Sequence, residues 1–152
     1  MCLNEGRRVM TMARESLVDS AVTPYYHCIS RCVRGAFLCG AGCEHRKQWV
    51  EERLRELAGI FALDVCAYAV LDNHLHVVLR LNDAVAGAWS DEDVVRRWSR
   101  LFPPRGKDRK PLKVTTAWVR ERLQAAAWIA TARERLNSLG WFMKCLKEPL
   151  AR

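Results

Sequence analysis

The run HLHVVLRL at residues 74–81 alternates, with Leu75, Val77 and Leu79 on one phase and His74 and His76 on the other. A period of two sends successive side chains to opposite faces of a β-strand, roughly 7 Å apart along each face. The two histidines therefore project together from the face that the aliphatic residues do not use. Just upstream, ALDVCAYAVL (62–71) reads as a second strand, and only Asp72 and Asn73 separate the two, a pair suited to a tight hairpin turn. An antiparallel pair with one apolar face needs something to cover that face.

The sequence supplies a cover. From Glu44, Trp49, Val50, Leu54, Leu57, Ala58 and Phe61 recur at helical spacing, with Glu51 and Arg55 four apart on the other side. Before that helix, YYHCISRCV (25–33) has the aromatic and β-branched content of a strand, closed by Arg34 and Gly35. Strand, helix, strand, strand is the expected order, with the imidazoles on the open side of the sheet. Beyond Asn82, residues 89–102 read as a helix capped by Ser90, with Asp93 placed to complete a capping box. Pro103 and Pro104 end it, and the basic segment 103–113 reads as an exposed loop. A further helical region starts near Thr115 or Thr116, has Gly140 as its expected break before WFMKCLK, and ends at Pro149.

A chain of 152 residues, 50% hydrophobic, accommodates one domain with a real core. Residues 13–152 are read as that domain. Residues 1–12 are read as disordered or as lying before the natural start, since Met10 and Met12 offer later starts. There is no apolar run of about 18 residues and no signal-peptide pattern, so the expectation is a cytoplasmic protein without a membrane partner. Seven cysteines, an odd count, then read as reduced thiols.

Charge is segregated. Residues 1–92 carry 10 Lys and Arg against 12 Asp and Glu, while residues 93–152 carry 15 against 5. Such a field attracts phosphate polymers, although it is also what a solvated helix face provides. Arg96, Arg97 and Arg100, followed by Arg105, Lys107, Arg109 and Lys110, are the candidate DNA contacts. Trp98 beside them is the candidate stacking residue, whereas Trp49, Trp118, Trp128 and Trp141 fit core positions. Two neutral imidazoles at 74 and 76 can share one divalent metal, although plain alternation on a solvated face would also place them there.

The stretch AYAVLDNHLHVVL resembles the metal-binding strand of the HUH single-tyrosine transposases, in particular the REP-associated tyrosine transposase group, where an Asn precedes a His, hydrophobic, His triplet. TPYYHCISRCVRGAFLCG is similar to that group's first strand, EHRKQWVEERLRELA to its first helix, and RLNSLGWFMKCLKEPLAR to a later segment. The resemblance implies a ferredoxin-like α/β (α+β) fold, an antiparallel sheet with helices on one face. It also implies Mg2+ or Mn2+ on His74 and His76, and cleavage and rejoining of single-stranded or hairpin DNA through a tyrosine nucleophile. The family's nucleophilic tyrosine and its last strand and helix would follow Arg152. The expectation is thus a truncated member with no catalytic tyrosine among Tyr25, Tyr26 and Tyr68, and with a sheet edge open to pairing with a second copy. His27 could reach the metal if its strand neighbours residues 74–81, or could serve structure or DNA contact.

A competing reading uses Cys28, Cys32, Cys39 and Cys43, two C-x3-C pairs with His45 nearby, as the zinc ligands of a non-catalytic nucleic-acid-binding module.

Overall fold

The computed structural model describes residues 18–31 and 45–149. Strand β1 (Tyr25–Arg31) is followed by helix α1 (His45–Ala58) and then by β2 (Leu63–Val70) and β3 (His74–Leu81). The remaining elements are helical: α2 (Asp83–Ala88), α3 (Asp91–Leu101), α4 (Thr116–Arg122), α5 (Ala126–Leu136) and α6 (Leu139–Lys147). The reading of residues 1–12 and the segment 32–44 fall outside the described residues.

The three strands form one sheet in the order β1-β3-β2, with β3 antiparallel to both neighbours. β1 and β2 consequently run in the same direction with β3 inserted between them, a split β-α-β arrangement. Alternation decides the faces. Leu75, Val77, Leu79 and Leu81 of β3 are each at most 7% exposed. They share one core with Val50, Leu54 and Leu57 of α1, and with Phe142 and Leu146 of α6. Phe61 meets Phe142 edge-on at 5.3 Å between ring centres, a geometry that aligns positive ring edge with negative ring face. The same core continues through Val94, Val95 and Trp98 of α3 and Ile129, Ala132 and Leu136 of α5. The molecule is therefore a mixed α/β structure in which helices cover one side of an antiparallel sheet.

Several expectations are met to within a residue or two. The hairpin link between β2 and β3 is closed by Leu71 N–H donating to His74 O at 2.9 Å. α3 carries the full capping box, with the Ser90 side chain accepting from Asp93 N–H and the Asp93 side chain accepting from Ser90 N–H.

One expectation is corrected, and two local features are added. The helical region after Thr115 is three helices rather than two, and its last break falls at Asn137 and Ser138. Gly140 lies within α6, because Ser138 caps that helix by accepting from Trp141 N–H, and a glycine is tolerated in a helix's first turn. The short α2, capped by Asn82, had no apolar periodicity to announce it. Segment 103–113 is a largely exposed loop, as expected, and contains a turn: Gly106 N–H donates to Lys110 O, Arg109 N–H donates to Gly106 O, and Arg109 takes a left-handed φ of 62°.

A candidate imidazole site on the open sheet face

The face of the sheet turned away from α1 is built by register. Tyr25 stands opposite Arg80, His27 opposite Val78, Ile29 opposite His76, and Arg31 opposite His74. From β2, Asp64 stands opposite Arg80, Ala67 opposite Val78 and Ala69 opposite His76. Tyr25, His27, Ile29, Arg31, Asp64, Ala67 and Ala69 are exposed, so nothing among the described residues covers this surface.

His27 and His76 are diagonal neighbours across the β1–β3 pair, a spacing that long or aromatic side chains bridge. Their rings stack with centres 5.0 Å apart, and His27 Nε2 lies 2.8 Å from His76 Nδ1, a hydrogen bond. The His74 ring meets His76 at 4.9 Å. His74 Nδ1 donates to Asn73 Oδ1 at 2.5 Å. That bond fixes the proton of neutral His74 on Nδ1 and leaves the Nε2 lone pair free.

Partial burial, then the proximity of His74 and His27, holds the His76 imidazole below the ordinary histidine range. Its charged form is disfavoured by lost solvation and by two potentially cationic neighbours. This favours the neutral imidazole, the form with a lone pair to offer. The sequence marked His74 and His76 and named His27 as a conditional partner. The condition, adjacency of β1 and β3, is satisfied.

Among the described residues, no group of three or more His, Cys, Asp or Glu side chains is arranged to hold a metal ion. The hydrogen bond explains why three clustered imidazoles are not a three-ligand cage: His27 directs Nε2 at a neighbour's nitrogen rather than at a shared centre. What the cluster offers a metal is two imidazoles, with remaining positions left to water or a ligand. Such a nitrogen pair fits Mn2+ better than Mg2+, which strongly prefers oxygen.

The tyrosines divide between faces. Tyr68 stands opposite Val77 and so belongs to the helix-bearing side, away from the histidines. Tyr26 is also on that side, and its hydroxyl accepts from Asp19 N–H at 2.8 Å. Only Tyr25 shares the imidazole face, in the row of Arg80, whose guanidinium lies 6.0 Å from the ring centre.

The arginines and lysines marked for DNA differ in their partners within the fold. Arg97 donates to Gly59 O at 2.9 Å and to Ile60 O at 3.2 Å, just past the end of α1, while its guanidinium lies 4.2 Å from the Trp89 ring centre. It acts as a clamp between α3 and the end of α1. Arg96 pairs with Glu92 one turn back, Arg105 donates to Arg109 O, and Lys110 pairs with Asp108. Arg100, Lys107 and Arg109 are exposed. Another guanidinium does similar work: Arg133 donates to Ala86 O and Trp89 O, both at 2.7 Å. Part of the positive charge of the C-terminal half therefore satisfies carbonyls at helix ends.

The tryptophan expectations reverse at two positions. Trp98 is 7% exposed and belongs to the core, while Trp49 is 45% exposed. Trp49 falls beyond the edge of α1's apolar stripe, a distinction that a list of periodic positions blurs. Of the proposed zinc ligands, Cys28 stands opposite Val77 on the helix-bearing side, where burial pushes its thiol up. Cys32, Cys39 and Cys43 fall outside the described residues.

A cleft of about 450 Å³ opens between α2, α3 and α5, lined by Ala86, Ile129 and the Asp91–Arg133 ion pair, without a histidine. Among the described residues no helix is long and apolar enough to cross a membrane. Compared with protein-family models, curated proteins and solved structures, the chain finds no match.

Proposed function

We propose that the chain is a member of the HUH single-tyrosine transposase group whose open sheet face binds single-stranded DNA through a divalent cation at His74 and His76. The observation that carries this reading is the pairing of these imidazoles on a face that no described residue covers, His74 being held by the Asn73 that precedes it. The split β-α-β arrangement supports a ferredoxin-like fold, since the order β1-β3-β2 is three-quarters of such a sheet, with no further strand on the β1 edge among the described residues.

Each residue has a distinct task. His74 and His76 would hold the cation by their Nε2 atoms, and of the two metals expected, Mn2+ suits that donor set. When bound, the cation neutralises phosphate oxygens and makes one phosphate the anchor of the strand. Arg31 flanks the histidines on the same face and supplies screened attraction to a neighbouring phosphate, while Arg80 is paired with Asp64 at 3.2 Å. Tyr25 and Ile29, 54% and 55% exposed, offer flat and apolar surface to bases. None of the three tyrosines belongs to the imidazole cluster, so binding without strand cleavage is the activity proposed for this chain.

Labelled single-stranded DNA mixed with the protein and Mn2+, then run on native and denaturing gels, tests this. The expected result is retardation under native conditions and no adduct that survives denaturation. A denaturation-resistant adduct abolished by Tyr25→Phe would make Tyr25 a nucleophile and overturn the binding-only reading.

A further inference from the structure

We infer that His27 is the positioning residue of His76, fixing its tautomer and its ring so that Nε2 faces the cation site. The contact between the two rings is geometric, and the direction of its hydrogen bond rests on the metal reading.

A neutral imidazole carries one ring proton. The 2.8 Å contact between His27 Nε2 and His76 Nδ1 holds a single proton between the two nitrogens. If His27 donated it, His76 would carry its own proton on Nε2 and would have no lone pair on the open face. If His76 donates it, His76 Nε2 is free and His27 keeps its proton on Nδ1. Only the second arrangement makes His76 match His74, whose Nδ1 proton is held by Asn73 Oδ1. The two candidate ligands then have the same tautomer, each enforced by its own acceptor, Asn73 from the hairpin link and His27 from the neighbouring strand.

Metal-binding histidines commonly have such a partner on the other ring nitrogen, and its loss weakens metal affinity by roughly 10- to 100-fold. Stacking adds a second constraint. The His27 and His76 planes differ by 24°, so His27 restricts rotation of the His76 ring as well as its proton position. The pairing also explains a polar residue on β1 that neither packs in the core nor joins the metal ligands: its place, diagonal to His76, is where an acceptor for Nδ1–H is required.

Long-range 15N–1H NMR of the metal-free protein, at a pH well above the imidazole range, reads the tautomers directly. His74 and His76 are both expected as the Nδ1–H form. In His27→Ala, His76 should move towards Nε2–H, and in His27→Gln, whose side-chain carbonyl can still accept, it should stay. Finding His76 as Nε2–H in the unmodified protein would overturn the inference.

Mn2+ titration on the same three proteins gives the second arm. Affinity should fall roughly 10- to 100-fold in His27→Ala and recover in His27→Gln, with unchanged circular dichroism. Counting coordinated imidazoles by pulsed EPR should give two in the unmodified protein. Three would make His27 a ligand, and equal affinity in all three proteins would remove its positioning role. If the tautomers are as expected yet the unmodified protein binds no Mn2+, the metal reading fails and the positioning of His76 by His27 stands.

Discussion

At the scale of single residues, the arginines show how a side chain's surroundings decide what its charge does. Arg97 spans from α3 to the carbonyls that end α1, and Arg96, its neighbour in sequence, makes an exposed pair with Glu92. Hydrogen bonds that involve a charged group contribute about 1.5–3 kcal/mol, whereas an exposed i,i+4 pair contributes about 0.5 kcal/mol or less. Arg97→Ala should therefore lower unfolding stability in urea by about 1.5–3 kcal/mol, and Arg96→Ala should be close to neutral. Similar stabilities for the two variants would show that the Arg97 clamp is not formed in solution. The sequence could not separate these arginines: both lie on one basic helix, and the carbonyls Arg97 serves are 37 and 38 residues away. His74 and His76 were legible because both sit on one strand, where a period of two is decisive. His27 was only half legible, since its role depends on which strands are neighbours.

At the scale of elements, caps and breaks set the helix boundaries. The Ser90–Asp93 box predicted from four residues is present, and Ser90→Ala should cost about 1 kcal/mol in thermal or urea unfolding. The box also has a pH signature. Hydrogen bonds from the Ser90 side chain and then its backbone hold the Asp93 carboxyl below the ordinary carboxylate range. A carboxyl depressed in the folded state contributes its stability above the ordinary pKa and loses it as pH falls through the lowered folded value. The difference in melting temperature between the native sequence and Asp93→Asn should therefore be fully present at neutral pH and shrink through the acid range. A difference that stays constant or grows on acidification would contradict the box. The break at Ser138 is not legible in the sequence for a physical reason: glycine signals a stop only near a helix's C-terminal end, and Gly140 is in the first turn of α6. The short α2 is equally illegible because its six residues contribute one buried side chain, Ala86, too few to show a period.

At the scale of the whole molecule, the sheet divides labour between its faces. One presents Leu75, Val77, Leu79 and Leu81 to the helices, and the other presents His27, His74, His76, Arg31 and Arg80 to the outside. A one-residue slip of β3 would exchange the two sets, so the same alternation that builds the core places the imidazoles. That coupling made the architecture and the histidine face readable together, while the arrangement of α3 to α6 over the core depended on long-range contacts that no local pattern encodes. The measurement that bears most directly on the central claim is fluorescence anisotropy of a labelled single-stranded oligonucleotide, titrated with protein in Mn2+ and in chelator. Mn2+ should tighten binding by the native sequence. His74→Ala and His76→Ala should each reduce binding to the level seen in chelator while keeping the native melting temperature. Binding that is indifferent to Mn2+, or unchanged in both histidine variants, would contradict the account.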